Sequence, residues 1–259
     1  MSIEKEFDCN SEPMFGPLDY YKKAKNVEEE VTVVTFSIHA KRKILCEYRH
    51  KIIAHIGTAN GSIPIYRIFV GNVKILFYMS PISSALAGTS LQEANAILGA
   101  KKFVFFGSCG VLDQRLKNQI ILPTESYRGE GLSYHYLSSS DYIKMKNASI
   151  LENYFLKHNL TFTKGRNYCT DAFYQETKNK IAQRRNEGCI SVDMESSGLE
   201  AVATYLNLDL YLFFFAGDVI TKNWEIGNMD HEKEKRRQKD VSEIAMDFAM
   251  SLLSGVNTR

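Results

Sequence analysis

Three short segments set reactive residue types directly behind apolar runs, where a buried strand can hold a side chain against a ligand. In Phe106-Gly107-Ser108-Cys109-Gly110, two glycines surround a serine and a cysteine. Glycine lets the backbone approach a ligand closely, and Ser108 offers a hydroxyl and an amide to an anion or a sugar. In Ser191-Val192-Asp193-Met194-Glu195-Ser196-Ser197-Gly198, two carboxylates follow an apolar run. Such groups are costly to bury unless paired, solvated or used on a ligand. A glutamate here can accept hydrogen bonds from two neighbouring sugar hydroxyls, or it can serve the dipole of a helix N-terminus. Phe215-Ala216-Gly217-Asp218 ends the most apolar strand of the chain with an aspartate. That carboxyl can act as a general acid if its pKa is raised, or as a simple turn cap. A fourth stretch, Arg128-Gly129-Glu130-Gly131-Leu132-Ser133-Tyr134-His135-Tyr136, is a glycine-punctuated loop that suggests a binding surface, with His135 more simply read as structural.

Strands and helices must alternate to position these segments. Val31–Phe36, Lys51–Ile56, Ile63–Val70 and Val73–Met79 read as strands, with a tight turn at Gly71–Asn72. Lys102–Phe106, Gln119–Ser126, Thr161–Tyr168, Gly188–Val192 and Leu210–Ala216 read likewise. Helical spacing covers Ser84–Leu98, capped by Gly99, and Ser149–His158, Gln175–Asn186, Glu195–Leu206 and Glu232–Leu253. This order predicts one α/β domain over 31–259, a central mixed, twisted and partly barrel-like sheet flanked by helices. Residues 1–30 read as a leader that packs late or loosely. In such folds ligands sit outside the carboxyl ends of strands, which is where the segments after Phe106, Val192 and Ala216 fall.

Composition narrows the partners. The 259 residues carry 32 basic and 30 acidic side chains, a formal net charge of +2. That balance gives no electrostatic reason to expect nucleic acid or an anionic membrane. The dense run His231–Lys239 mixes both signs and reads as a solvated helix face. Five cysteines without C-x-x-C spacing argue for a reducing compartment and against a zinc site. With a polar N-terminus and no long apolar run, the expectation is a soluble, cytoplasmic protein.

Together the segments match one family in order and spacing. FGSCGVLDQRLKNQIILPTESYRGEGLSYHY, TDAFYQET, VDMESSGLEAVA and AGDVI resemble the glycine loop, base-site segment, signature stretch and acid segment of the purine nucleoside and uridine phosphorylases. The resemblance runs from about Val31 to the C-terminus. It implies that Met194 and Glu195 line a ribose, with Glu195 on the 2′ and 3′ hydroxyls and Asp193 beside them. Ser108 would touch phosphate or ribose, Cys109 and Gly110 would border the base, and Phe173 would stack on it. Asp218 would protonate or hydrogen-bond the leaving base as C1′ is attacked through an oxocarbenium-like state. It further implies a small-molecule nucleoside, no metal or organic cofactor, phosphate as co-substrate, and a homo-oligomer (a dimer or a trimer of dimers).

The phosphate subsite departs from the family. Its G-D-P-x-R loop corresponds to Thr35-Phe36-Ser37-Ile38-His39-Ala40, so glycine becomes Phe36 and arginine becomes Ala40. A second family arginine falls at Phe105, and the serine before the acid becomes Gly217. An apolar ring cannot replace a guanidinium against a phosphate dianion. Arg42, Lys41, Arg49 or Arg128 would have to restore that charge from new positions, with Arg42 and Arg128 the leading candidates. The base segment also lacks the glutamine and arginine that read uracil. The expectation is a phosphorylase with relocated cations; the alternatives are a nucleosidase using water and a non-catalytic nucleoside binder.

Overall fold

In a computed structural model, residues 7–22, 24–138, 140–226 and 231–253 are described, apart from the side chains of 231–240. The elements run α1 (Pro17–Tyr21), β1 (Val31–Thr35), α2 (Ile38–Glu47), β2 (Arg49–Thr58), β3 (Gly61–Val70) and β4 (Val73–Met79). Then come α3 (Ser84–Leu98), β5 (Lys102–Val111), β6 (Ile120–Gly129), β7 (Tyr142–Lys144), α4 (Ala148–Lys157) and β8 (Phe162–Thr170). The chain continues through α5 (Lys178–Asn186), β9 (Cys189–Asp193), α6 (Ser196–Tyr205), β10 (Asp209–Ile220), β11 (Trp224–Glu225) and α7 (His231–Leu253).

Consecutive residues of β5 and β10 turn to opposite faces of the sheet, and both faces are buried. Phe103, Phe105, Leu212 and Phe214 join one core with Leu91 of α3 and Val202 of α6. Val104, Phe106, Phe213 and Phe215 join the other with Ile44 of α2, Phe155 of α4 and Phe248 of α7. This explains why FVFF and LYLFFF read as unbroken apolar runs, and each such ring contributes roughly 1.5–3 kcal/mol by leaving water. The sheet order is β11-β10-β6-β8-β9-β5-β1-β4-β3-β2, with β7 on β6. Because β10 also pairs with β5, the strands β10-β6-β8-β9-β5 close into a ring. The expected mixed, partly barrel-like sheet is therefore what forms.

Several expectations change. Phe106 does not end its strand: Gly107, Ser108 and Cys109 stay in register with Phe214, Phe215 and Ala216, and Gly110 pairs with Val192. The glycine stretch is thus strand, held on both edges, and not a loop. The residues after β1 start an unforeseen helix, α2, because the Ser37 Oγ accepts from the His39 and Ala40 amides at 3.1 and 3.2 Å. Helix α5 begins at Lys178, capped by Thr177, so Gln175 and Glu176 lie before it. The leader does not pack loosely from Tyr21 onward. The Tyr21 hydroxyl donates to Glu93 (2.9 Å) and accepts from the Gly57 amide (2.8 Å), the Lys25 and Val27 amides bond α3 carbonyls, and Glu29 pairs with Arg67. Helix α7 spans the charge run His231–Lys239, whose side chains lie outside the described residues.

Candidate active site

A cavity of about 350 Å³ opens where β1, β5, β9 and β10 end. This is the size and position in which small-molecule sites form in α/β sheets. It gathers Ser108, Cys109, Gly110, Phe173, Asp193, Met194, Glu195 and Asp218 from four separate stretches of chain. A wider groove of about 810 Å³, between residues 8–20 and α3, holds none of these groups.

One wall is the β9–α6 junction. Asp193 Oδ2 accepts from the Glu195 and Ser196 amides (2.9 and 2.7 Å), and Oδ1 from Asn167 Nδ2 and Ser196 Oγ (both 2.6 Å). Four donors fill the four lone-pair directions of a carboxylate. Asp193 thus lines the cavity with its lone pairs committed to protein donors, and it shapes the junction at which Glu195 sits. Glu195 is 6% exposed, and its Oε1 accepts from the Ser83 amide at 2.8 Å. Burial, then the neighbouring Asp193 charge, holds its carboxyl above the ordinary range. Ser83 reaches it from a rare backbone conformation for a side-chain-bearing residue (φ 94°, ψ 148°), and Ser84 Oγ donates to the Met194 carbonyl at 2.9 Å. The start of α3 thus fixes both members of the Met-Glu pair.

The opposite wall carries acids and rings. Asp218 is 8% exposed, and its Oδ2 accepts from Trp224 Nε1 at 2.8 Å. Gly110 lies beneath it: a Cβ there would come within 2.8 Å of Ile220, 2.9 Å of Val192 and 3.2 Å of Asp218 Oδ1. Glycine is required by that close approach. Burial pushes the Cys109 thiol well up, with the charges of Asp193 and Asp218 adding, so it stays a neutral wall residue rather than a nucleophile. Phe173, 44% exposed, supplies an accessible ring at the mouth. Beside it stands Glu176, pushed up to about 7 by burial and then by the Asp218 charge.

The third end is built from Phe36, Ser37, His39, Gly107 and Ser108. Phe36 sits where a Cβ on Gly107 would be 2.8 Å from its ring, and it packs on the fully buried Phe105 at 5.8 Å between centroids. None of the four proposed cations, Lys41, Arg42, Arg49 and Arg128, lines the cavity. Arg42 is exposed on α2 and does not line the cavity. Arg128 is buried, donating to Ser133 Oγ (2.8 Å), the Ser138 carbonyl (2.7 Å) and the Leu137 carbonyl (3.0 Å) while stacking on Tyr134. Its donors close the 128–138 segment on itself, and of that stretch His135 and Tyr136 line the wider groove and not this cavity. Among the described residues no lysine or arginine lines the cavity.

The sequence reading missed Ser83, His39, Glu176 and Trp224. Glu176 lay inside the quoted TDAFYQET segment, three residues after Phe173, so a signal existed. Trp224 and Ser83 had none, since only the fold brings them to Asp218 and Glu195.

These features agree with the wider comparisons. Residues 38–254 match the family model described as the phosphorylase superfamily. A purine nucleoside phosphorylase of the DeoD type from Buchnera aphidicola subsp. Schizaphis graminum is 22% identical over 171 residues, covering 64% of this chain and 72% of that protein. In fold, the chain resembles the Helicobacter pylori 5′-methylthioadenosine/S-adenosyl homocysteine nucleosidase (TM-score 0.68, 14% identity, 86% of this chain and 98% of that one). It equally resembles the uridine phosphorylase of Vibrio fischeri ES114 (TM-score 0.67, 17% identity, 87% and 91%). Hydrolases and phosphorylases thus share this architecture, and the chain belongs to the phosphorylase superfamily.

Proposed function

We propose that this chain hydrolyses the N-glycosidic bond of a purine-type nucleoside, with water rather than phosphate as the acceptor. The carrying observation is the third end of the cavity, where the described residues place no lysine or arginine and two phenylalanines pack together. A phosphate dianion taken from water into such a place needs compensating charge and donors. The first turn of α2 does not offer them, because the amides of His39 and Ala40 are already taken by Ser37 Oγ and that of Ser37 by Thr35 Oγ1. Water asks less: His39, Ser37 and Ser108 are enough polar surface to orient it.

In this reading Glu195 accepts from the two ribose hydroxyls, Phe173 stacks on the base, and the acids at the base end stabilise its departure. The C1′–N bond loosens toward an oxocarbenium-like state, which the buried negative charge of the pocket favours. Lost freedom of the bound sugar supplies part of the acceleration. The second reading, phosphorolysis, draws on the phosphorylases among the relatives and needs His39 to stand alone against the phosphate.

The test is release of base and sugar from purine nucleosides with and without phosphate. Free ribose formed at the same rate in both buffers supports hydrolysis. Strict dependence on phosphate, with pentose 1-phosphate as product, sinks it.

A further inference from the structure

Two carboxylic acids face the base end of the cavity, Asp218 from β10 and Glu176 from the stretch before α5. They are not equivalent. Asp218 is buried and pinned, its Oδ2 holding the indole N–H of Trp224 at 2.8 Å. A donor directed at a carboxylate oxygen fixes the side chain in place. Glu176 lines the same cavity, partly buried, and its carboxyl makes no hydrogen bond or ion pair with any described residue. A carboxyl left unpartnered at the edge of an apolar chamber is free to meet a ligand atom.

We propose that Glu176, and not Asp218, hands the proton to the departing base, while Asp218 acts as the fixed charge beside it. This rests on the nucleoside reading of the cavity. It assigns the acid to a residue outside the AGD segment that the family resemblance singles out.

The electrostatics agree with the geometry. Burial first, and the Asp218 charge second, push Glu176 up to about 7. The other titratable groups around the cavity are Asp193 and Glu195 at the β9–α6 junction, the Cys109 thiol of β5, and His39 at the far end. An acid whose surroundings favour its protonated form is suited to give a proton to a leaving group.

The Glu176 O–H gives its proton to a ring nitrogen of the base as the C1′–N bond breaks, with both bonding electrons leaving on the base. The base departs neutral, and Glu176 is left as a carboxylate. Water adds its oxygen to C1′ and loses one proton, so solvent restores the acid form of Glu176 without net change.

The experiment compares the full-length protein with Glu176→Gln and Asp218→Asn. Each is assayed from pH 5 to 9 on adenosine and inosine and on p-nitrophenyl riboside, whose phenolate leaves without a proton. Glu176→Gln is expected to lose about 100-fold or more in kcat/KM on the purine nucleosides, and less than about 5-fold on the aryl riboside. It should also lose the alkaline limb near neutrality, whereas Asp218→Asn should keep that limb and move it to lower pH. An equal loss on both substrates by Glu176→Gln, or an intact limb, overturns the assignment. Binding of free adenine, measured by calorimetry over the same range, gives a readout that needs no turnover. Wild-type affinity should fall about 10-fold or more as pH rises through neutrality, while Glu176→Gln, which keeps an N–H donor, should bind evenly. A flat wild-type curve overturns the proposal even if the chain cleaves no nucleoside; sloped binding without cleavage would instead reject the hydrolase reading alone.

Discussion

The two ends of the cavity were built on opposite principles. At the β9–α6 junction the polar groups hold one another: Asp193 by four donors, one Glu195 oxygen by the Ser83 amide, the Met194 carbonyl by Ser84. At the acceptor end Phe36 packs on Phe105 and over Gly107, and the first amides of α2 are turned inward to their own cap. A preorganised carboxylate recognises a neutral diol at little cost, since the protein has already oriented it. A dianion needs the reverse, uncommitted donors and positive charge. In the proposed reading the two ends serve separate tasks, the Glu195 wall the sugar and the Phe36 end the acceptor.

The largest effect expected at the sugar end is Glu195→Gln. Losing the charge that accepts two hydroxyls should cut kcat/KM on a nucleoside by about 10²–10³-fold, with the melting temperature held or raised, because a buried charge is also removed. A loss below tenfold would break the comparison by showing that this wall does not hold the sugar. Next comes Gly110→Ala. The added Cβ meets Ile220, Val192 and Asp218 at 2.8–3.2 Å, so about 1–3 kcal/mol of stability should go, read as a lower denaturant midpoint. An unchanged midpoint would mean that the acid wall yields more easily than its packing indicates.

Smaller changes sharpen the picture. Trp224→Phe keeps most of the ring area but removes the donor to Asp218 Oδ2, so kcat should fall about 3–10-fold with little change in fold stability. Measuring it beside Glu176→Gln separates the pinned acid from the free one. Smallest is Ser83→Gly, which relieves a φ of 94° while keeping the amide that serves Glu195. We expect about 0.5–1 kcal/mol of added stability and near-normal turnover. A large loss of activity would show that the Ser83 side chain, and not its backbone, organises the sugar wall.

Much of this was readable in the residues. FVFF and LYLFFFA announced strands buried on both faces, and Gly71–Asn72 announced a tight turn, which forms with Val70 opposite Val73. Ser108, Cys109, Gly110, Phe173, Met194, Glu195 and Asp218, scattered over more than a hundred positions, were gathered by motif order and do line one cavity. Arg42 and Arg128 misled because a basic side chain near the right segment says nothing of where its donors are spent. Helix α2 escaped notice because its start rests on one serine cap, and the stretch was read against a loop motif.

By itself, then, the sequence determined the local and periodic quantities: which runs are buried on both faces, where the chain turns, and which reactive types follow each strand. Through its family resemblance it also implied that two phosphate-binding arginines are replaced, by Ala40 and Phe105. Only the tertiary structure decided which polar atoms are already satisfied, because a hydrogen bond between residues 112 positions apart, such as Ser83 to Glu195, has no sequence signature. The same holds for the difference between Glu176 and Asp218. It comes from burial and from one indole N–H, quantities that exist only once the strands have closed around the cavity.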